Sequence, residues 1–197
     1  MGCGRRRFSR PYGRRRYRKL YIIATEGMKT EPQYFSFFEN HNSTIHVKCL
    51  KQRSRNSPPQ VLARMKKYLR KEALRSSDEA WLVVDKDQWN DSQLAQLHEW
   101  SLEQENYGFA LSNPKFEYWI LLHFEDGAGI ANSQQCSDRL KQYLPEYDKG
   151  VDAHKITEKR IADAVYRAKT RDNPPCADWP RTTGTTVYRL IESIQNA

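Results

Sequence analysis

Two short apolar segments that end in acidic residues constrain this chain more than any other feature of its sequence. Residues 20–24 and 81–84 are continuous apolar runs, and such runs are typical of β-strands buried on both faces of a parallel sheet. Glu26 follows the first run, and Asp85 and Asp87 follow the second. Because open α/β sheets keep their sites at the carboxyl ends of strands, we expect these three acids at one sheet edge.

Helical and extended patterns alternate along the first two thirds of the chain. This alternation predicts an α/β fold, a parallel sheet with helices on both faces. Thr30 is expected to cap the first helix, with the side chain of Gln33 closing a capping box. If the first strand lies beside the third, Glu26 faces Asp85 and Asp87 across the crevice between them. Strands are predicted at 20–25, 44–50, 80–84 and 107–111, and helices at 32–39, 57–75, 92–104 and 116–124.

The chain is predicted to have three regions. Residues 1–19 form a basic arm without apolar periodicity, which we expect to be disordered when free. Residues 20–125 form the α/β core. Residues 126–197 form a helical and loop-rich extension packed on that core, with helices predicted at 137–143, 158–169 and 185–194.

The positive charge of the chain comes from the basic arm. Nine of the 33 basic residues lie there without any acid, and the remaining 24 balance 24 acidic residues to leave a net charge of +9. This asymmetry predicts contact with a nucleic-acid backbone. The alternative is that the arm is a solubilising tail or contacts an acidic protein partner. For the basic residues after the second strand, the alternative is an ordinary solvated loop. The expected nucleic-acid-binding residues are Arg5, Arg6, Arg7, Arg14, Arg15, Arg16, Arg53 and Arg55.

The three acids have the chemistry of a site for a hard cation. In an extended segment Asp85 and Asp87 project the same way, about 7 Å apart for a rise of about 3.3 Å per residue. Two carboxylates at such a short distance favour a shared divalent cation, since their mutual repulsion otherwise raises the pKa of one of them. Gly27 lets a ligand approach Glu26, which we expect to complete a magnesium site or to act as a general base. The alternative is a polar strand end or an acidic turn that caps the next helix.

A second group of candidate residues follows the fourth predicted strand. Asn113-Pro114 is expected to end that strand and to start a helix near the same sheet edge. Glu117 is a candidate base or metal-associated carboxylate, and its alternative role is a favourable interaction with the helix dipole. Lys115 is a candidate contact for the scissile phosphate, or simply an exposed lysine. His123 is expected to be a hydrogen-bonded core histidine.

Other classes of protein are disfavoured by composition. The four cysteines are widely scattered with no C-x-x-C pair, which argues against a structural zinc site and against a disulfide framework. No apolar run approaches the ~20 residues that span a membrane, and no apolar h-region follows the arginine-rich start. We therefore expect a cytoplasmic protein with no membrane partner.

Several motifs resemble those of RloB-like proteins. They are IATEG at 23–27 with the Thr-Glu-Pro that follows, VDKD at 84–87, and the long, specific block SNPKFEYWILLHF at 112–124. The resemblance implies a Toprim-like core, as in topoisomerases, primases and OLD-type nucleases, in which Glu26, Asp85 and Asp87 bind Mg²⁺, with Mn²⁺ as a substitute. It also implies a role in prokaryotic antiviral defence, often beside an ATPase. The basic arm lies outside the family pattern.

The function predicted from the sequence is magnesium-dependent cleavage of nucleic acid by an endonuclease. One alternative is a non-catalytic nucleic-acid-binding or regulatory subunit that keeps its acids for folding. Others are a different magnesium-dependent phosphotransfer enzyme, such as a D-x-D phosphatase, and a subunit that is active only with its ATPase partner. A tyrosine nucleophile is also open, although the sequence singles out none of the 11 tyrosines.

Overall fold

The computed structural model describes residues 19–39, 45–51, 57–86, 89–147 and 150–197, and all structural statements refer to these ranges. The described residues form an α/β fold in which strands and helices alternate, followed by a mainly helical C-terminal part. The strands are β1 (Lys19–Thr25), β2 (Ile45–Cys49), β3 (Glu79–Asp85), β4 (Tyr107–Asn113) and β5 (Gly184–Thr185). The helices are α1 (Thr30–Ser36), α2 (Pro58–Leu69), α3 (Asp91–Ser101), α4 (Phe116–Leu121), α5 (Ser133–Tyr143), α6 (Glu158–Arg171) and α7 (Val187–Gln195), with a short 3₁₀ helix at Ala153–Lys155.

The strands form one sheet in the order β2-β1-β3-β4-β5, and the first four of these are parallel. The predicted α/β class and the pairing of the first strand with the third are both confirmed. The chain leaves β1 toward β2 on one side and continues from β3 on the other, so the topological switch lies between β1 and β3. Thr25 is level with Val83 in this pair, which brings the ends of both strands to the same edge.

Helices cover both faces of the sheet, as the alternation of strands and helices predicts. On one face Tyr21 and Ile23 pack with residues of α1 and α4 and of the C-terminal helices. On the other face Ile22 and Leu82 pack with residues of α2 and α3. Each fully buried aliphatic side chain contributes about 1.5–3 kcal/mol to folding. Because β1 is buried on both faces, its end is a rigid position for a functional residue.

The C-terminal helices share the first of these two cores. Leu140 of α5, Ile161 of α6 and Leu190 of α7 are buried in the same cluster as Tyr21. In addition, the Tyr21 hydroxyl donates to the Ser193 carbonyl at 2.6 Å. The separation of a core at 20–125 from an extension at 126–197 stays a prediction.

The sequence did not predict the fifth strand. β5 has only two residues and pairs antiparallel with the end of β4, where Thr185 is level with Ser112. The hydroxyls of these two residues are 2.8 Å apart. Two residues are too few to produce a periodic pattern, so the sequence predicted a helix from residue 185, whereas α7 begins at Val187.

The predicted capping of the first helix is wrong. Lys29 occupies the N-cap position, Thr30 is the first helical residue, and no side chain caps the helix. The Gln33 side chain instead accepts a hydrogen bond from the Val151 amide at 3.3 Å. Tertiary contacts from the C-terminal part therefore replace the local capping box.

The second helix is shorter than its pattern predicts. α2 ends at Leu69 rather than near residue 75. The Asp78 carboxylate accepts the amides of both Arg75 and Leu20 at 3.0 Å, and these bonds fix a turn that leads into β3. No described helix has the length and apolar character needed to cross a membrane.

Candidate functional site

Glu26 and Asp85 lie side by side at the edge where β1 and β3 end. The Asp85 amide donates to Glu26 Oε2 at 3.2 Å, and the Glu26 amide donates to the Val83 carbonyl at 3.0 Å. Glu26 is fully buried and Asp85 is 8% exposed. The structure thus brings together two of the three acids expected to bind metal. Asp87, the third, lies outside the described residues.

Glu26 is held by an aromatic donor from the segment after β3. The indole Nε1 of Trp89 lies 3.2 Å from each carboxylate oxygen of Glu26. The preceding residue is held as well, because the Arg64 guanidinium on α2 donates to the Thr25 carbonyl. These contacts fix both the backbone and the carboxylate at the end of β1.

A further acid, Glu31, reaches the site from the first turn of α1. The Gly27 amide donates to Glu31 Oε1 at 2.6 Å, so this carboxylate lies against the turn that follows Glu26. A Cβ atom on Gly27 would lie only 2.0 Å from Glu31 Oε2. Gly27 is therefore required for the close approach of Glu31 to the backbone, a role that differs from the ligand access that the sequence suggested.

The second group of candidates reaches the site through the loop between β4 and α4. The Phe116 amide donates to Asp85 Oδ1 at 2.8 Å, which ties the start of α4 to the end of β3. Glu117 is in the first turn of α4, and its Oε1 accepts a hydrogen bond from the Tyr147 hydroxyl at 3.0 Å. Lys115 donates through Nζ to Ser137 Oγ on α5.

An open cavity of about 420 Å³ lies at this edge of the sheet. Three carboxylates line it, those of Glu31, Asp85 and Glu117, and so do the basic side chains Lys29 and Lys115. The remaining lining residues are Gly27, Met28, Thr30, Phe116 and Ser133. The cavity therefore combines several acids with two cations, a composition that suits a phosphate and its counter-ion.

Burial and mutual repulsion disfavour the ionised forms of the acids. Burial raises the pKa of Glu31 to about 7, and the neighbouring Glu117 and Glu26 add to the rise. Burial also raises the pKa of Asp85 well above its usual value, with further contributions from Glu31, Glu26 and Glu117. Within the described ranges no basic side chain forms an ion pair with Glu31 or Asp85. A bound cation would offset this repulsion.

The donor atoms at this edge suit Mg²⁺, although the described residues do not complete a ligand set. Glu26 and Asp85 supply hard carboxylate oxygens, the ligand type that Mg²⁺ prefers. Across the described ranges, however, no three His, Cys, Asp or Glu side chains are arranged to hold a metal ion.

Three residues of the site were missed by the sequence analysis. Glu31 had a signal, an acid four residues after Gly27 in the first turn of a helix, but it was considered only as part of a family motif. Trp89 and Tyr147 had none, because their contacts with Glu26 and Glu117 depend on the tertiary fold. The nucleic-acid-binding candidates Arg5, Arg6, Arg7, Arg14, Arg15, Arg16, Arg53 and Arg55 lie outside the described residues.

His123 is a core residue, as predicted. It is 2% exposed, its Nε2 lies 3.1 Å from the Tyr34 hydroxyl, and its Nδ1 lies 3.0 Å from the Trp119 carbonyl. Burial lowers the pKa of His123 to about 4. It is therefore neutral at physiological pH and belongs to the core beneath α4.

The fold and the site together define an α/β protein with buried acids at the topological switch of a parallel sheet. The family model for RloB-like proteins matches residues 21–194. The chain belongs to the RloB-like protein family, as its motifs predict. Neither the curated proteins nor the solved structures that were searched contained a match to the chain.

Proposed function

We propose that this RloB-like protein is a magnesium-dependent nuclease that cleaves phosphodiester bonds in nucleic acid. The observation that carries the proposal is the meeting of two buried acids, Glu26 and Asp85, where the Asp85 backbone amide donates to the Glu26 carboxylate at 3.2 Å. Buried carboxylates without a cation repel each other and so lower the stability of the folded protein. Their position at the topological switch is where open α/β sheets bind ligands.

In this proposal the acids at the ends of β1 and β3 hold the cation. Glu26, Asp85 and Asp87 are the expected ligands. A bound Mg²⁺ would polarise the phosphoryl oxygen and stabilise the leaving oxygen. Glu26 is already fixed by the Trp89 indole, so its carboxylate has little freedom to lose when a cation binds.

Two residues of the β4–α4 segment act on the substrate. Glu117 faces the cavity beside Asp85 and Glu31, and its carboxylate is a candidate to accept a proton from the attacking water. Lys115 lines the same cavity and supplies positive charge for the scissile phosphate. Glu31 adds a further carboxylate, which is another candidate ligand or proton acceptor.

The proposal extends to partners. The basic arm and Arg53 and Arg55 would bind the phosphate backbone of DNA or RNA. The resemblance to RloB-like proteins supports a role in prokaryotic antiviral defence with an ATPase partner. In one form of this proposal, the nuclease acts only when the ATPase partner is present.

A second candidate function is a non-catalytic nucleic-acid-binding or regulatory subunit. It is favoured by the hydrogen bonds of the acids, since Glu26, Glu31 and Asp85 each accept a backbone amide and so order a loop. In this alternative the acids act in folding alone.

The test is a cleavage assay with three substrates and matched variants. Purified protein is incubated with plasmid, single-stranded DNA and tRNA, each with Mg²⁺, Mn²⁺ or EDTA, and with and without a candidate ATPase partner. Asp85→Asn removes a charge but keeps the acceptor for the Phe116 amide. Glu79→Gln is the control, because Glu79 begins the same strand at the opposite sheet edge and pairs with Lys19 at 2.7 Å.

We expect cation-dependent cleavage of at least one substrate by the wild type and by Glu79→Gln. Asp85→Asn should lose about 100-fold or more in rate, the loss typical when a group that stabilises charge in the transition state is removed. Equal cleavage by Asp85→Asn, or cleavage that persists in EDTA, would contradict the proposal. Nucleic-acid binding without cleavage in every condition would favour the second candidate.

A further inference from the structure

Tyr147 connects the C-terminal part of the chain to the acidic site. Its hydroxyl lies 3.0 Å from Glu117 Oε1 and 3.2 Å from Thr30 Oγ1. Glu117 is in the first turn of α4, and Thr30 precedes Glu31 in α1. One phenol oxygen therefore bridges the two helices that bring Glu117 and Glu31 to the cavity.

The segment that carries Tyr147 is itself anchored on both sides. The Tyr147 amide donates to the Leu144 carbonyl at 3.0 Å, and the Gly150 amide donates to the Tyr147 carbonyl at 2.8 Å. Gly150 has φ +125°, and a Cβ atom there would lie 2.3 Å from the Gln33 side chain. The same Gln33 side chain binds the Val151 amide. These contacts hold Tyr147 against α1.

The phenol of Tyr147 acts as a hydrogen-bond donor rather than as a nucleophile. Burial and the nearby Glu117 carboxylate raise the pKa of Tyr147 above its usual value. The hydroxyl thus keeps its proton under all ordinary conditions, and a carboxylate is the strongest acceptor within its reach. Glu117 has three rotatable side-chain bonds, and this hydrogen bond restricts them.

We propose that Tyr147 is a positioning residue that orients the Glu117 carboxylate toward the cavity shared with Asp85 and Glu31. The inference rests on the proposed nuclease function and deepens it, because it makes the segment after α5 a part of the site. Tyr147 touches no substrate in this account and acts only through Glu117. Without its hydroxyl, Glu117 would sample several rotamers, and fewer of them would face the reacting phosphate.

The test compares two tyrosines that each donate to a glutamate. Tyr147→Phe removes the hydroxyl that donates to Glu117. The control, Tyr143→Phe, removes a hydroxyl that donates to Glu125 at 3.0 Å. Both changes delete one oxygen atom and keep the ring. We expect Tyr147→Phe to lower kcat about tenfold to hundredfold, the range for losing a hydrogen bond to a charged group. KM should stay close to that of Tyr143→Phe, whose kcat should equal that of the wild type.

A double-mutant cycle then tests whether Tyr147 acts through Glu117. In a Glu117→Gln background, adding Tyr147→Phe should lower kcat by less than about twofold, because its effect is already lost. Additive losses would overturn the inference, and so would unchanged kcat in Tyr147→Phe. A wild type that cleaves nothing, with or without the ATPase, would instead overturn the proposed function, and this inference with it.

Discussion

Burial, with Glu117 and Glu26 nearby, raises the pKa of Glu31 to about 7 from its usual value of 4.5. Between these two values the unfolded chain has released a proton that the folded protein retains. The free energy of unfolding therefore falls as pH rises from about 5 to about 7 and stays low above that. One group with this shift accounts for at most about 3 kcal/mol. Asp85, whose pKa is raised for the same reasons, adds to the effect.

Glu31→Gln tests this account of the acids. The amide oxygen of glutamine still accepts the Gly27 amide, but it carries no charge. We expect Glu31→Gln to raise the free energy of unfolding at pH 8 by about 1–3 kcal/mol and to change it little at pH 5. Urea unfolding at the two pH values measures both differences in protein freed of divalent cations.

The control for Glu31→Gln is Glu99→Gln, since Glu99 is exposed on α3. This variant should follow the wild type at both pH values. If Glu31→Gln were no more stable than the wild type at pH 8, the burial of Glu31 and its repulsion by the other acids would be too weak to favour a cation. Mg²⁺ at pH 8 should stabilise the wild type more than Glu31→Gln.

At the scale of single elements, the turn between β1 and α1 depends on Gly27. A methyl group there would lie 2.0 Å from the Glu31 carboxylate, which would have to leave the Gly27 amide. We expect Gly27→Ala to lower the free energy of unfolding by about 1–3 kcal/mol, the cost of a displaced buried hydrogen bond. Chemical unfolding at pH 7 measures the difference.

The Glu31→Ala background gives the matched comparison for that turn. There the new methyl group has no carboxylate to displace, so Gly27→Ala should cost clearly less than in the wild type. Equal costs in the two backgrounds would mean that the backbone at Gly27, rather than its contact with Glu31, sets the requirement for glycine.

The sequence predicted elements that depend on local periodicity and missed those that depend on distant contacts. Strands β1 and β3 follow from apolar runs and β2 from an alternating pattern, and Glu26 and Asp85 follow from their position after the two apolar runs. The capping of α1 was mispredicted because Gln33 binds Val151, and β5 was missed because two residues carry no period. Trp89 and Tyr147 reach the acids only through tertiary packing, which a single sequence does not encode in any local pattern.

At the scale of the whole molecule, the C-terminal helices and the sheet share a hydrophobic core. Leu190 and Ile191 of α7 are fully buried with Tyr21 and Ile23 of β1. A core shared in this way predicts one cooperative unfolding transition, seen at the same midpoint by circular dichroism and tryptophan fluorescence.

Leu190→Ala tests that cooperativity. It should lower the free energy of unfolding by about 2–5 kcal/mol, the range for truncating a buried leucine. The unfolding midpoints reported by circular dichroism and by tryptophan fluorescence should shift together. Tyr166→Ala is the control, because Tyr166 of α6 is 73% exposed, and it should change stability by less than about 0.5 kcal/mol. A first transition that leaves most of the sheet folded would instead support separate units at 20–125 and 126–197.

The central claim is that the carboxylates at the ends of β1 and β3 jointly bind a divalent cation. Its most direct test is a crystal soaked in Mn²⁺ and measured at the manganese absorption edge, where anomalous scattering locates the ion. The account predicts one strong peak within about 2.5 Å of carboxylate oxygens of both Glu26 and Asp85, and no such peak in Asp85→Asn. Soaked crystals with manganese elsewhere, or with none at this edge, would contradict it.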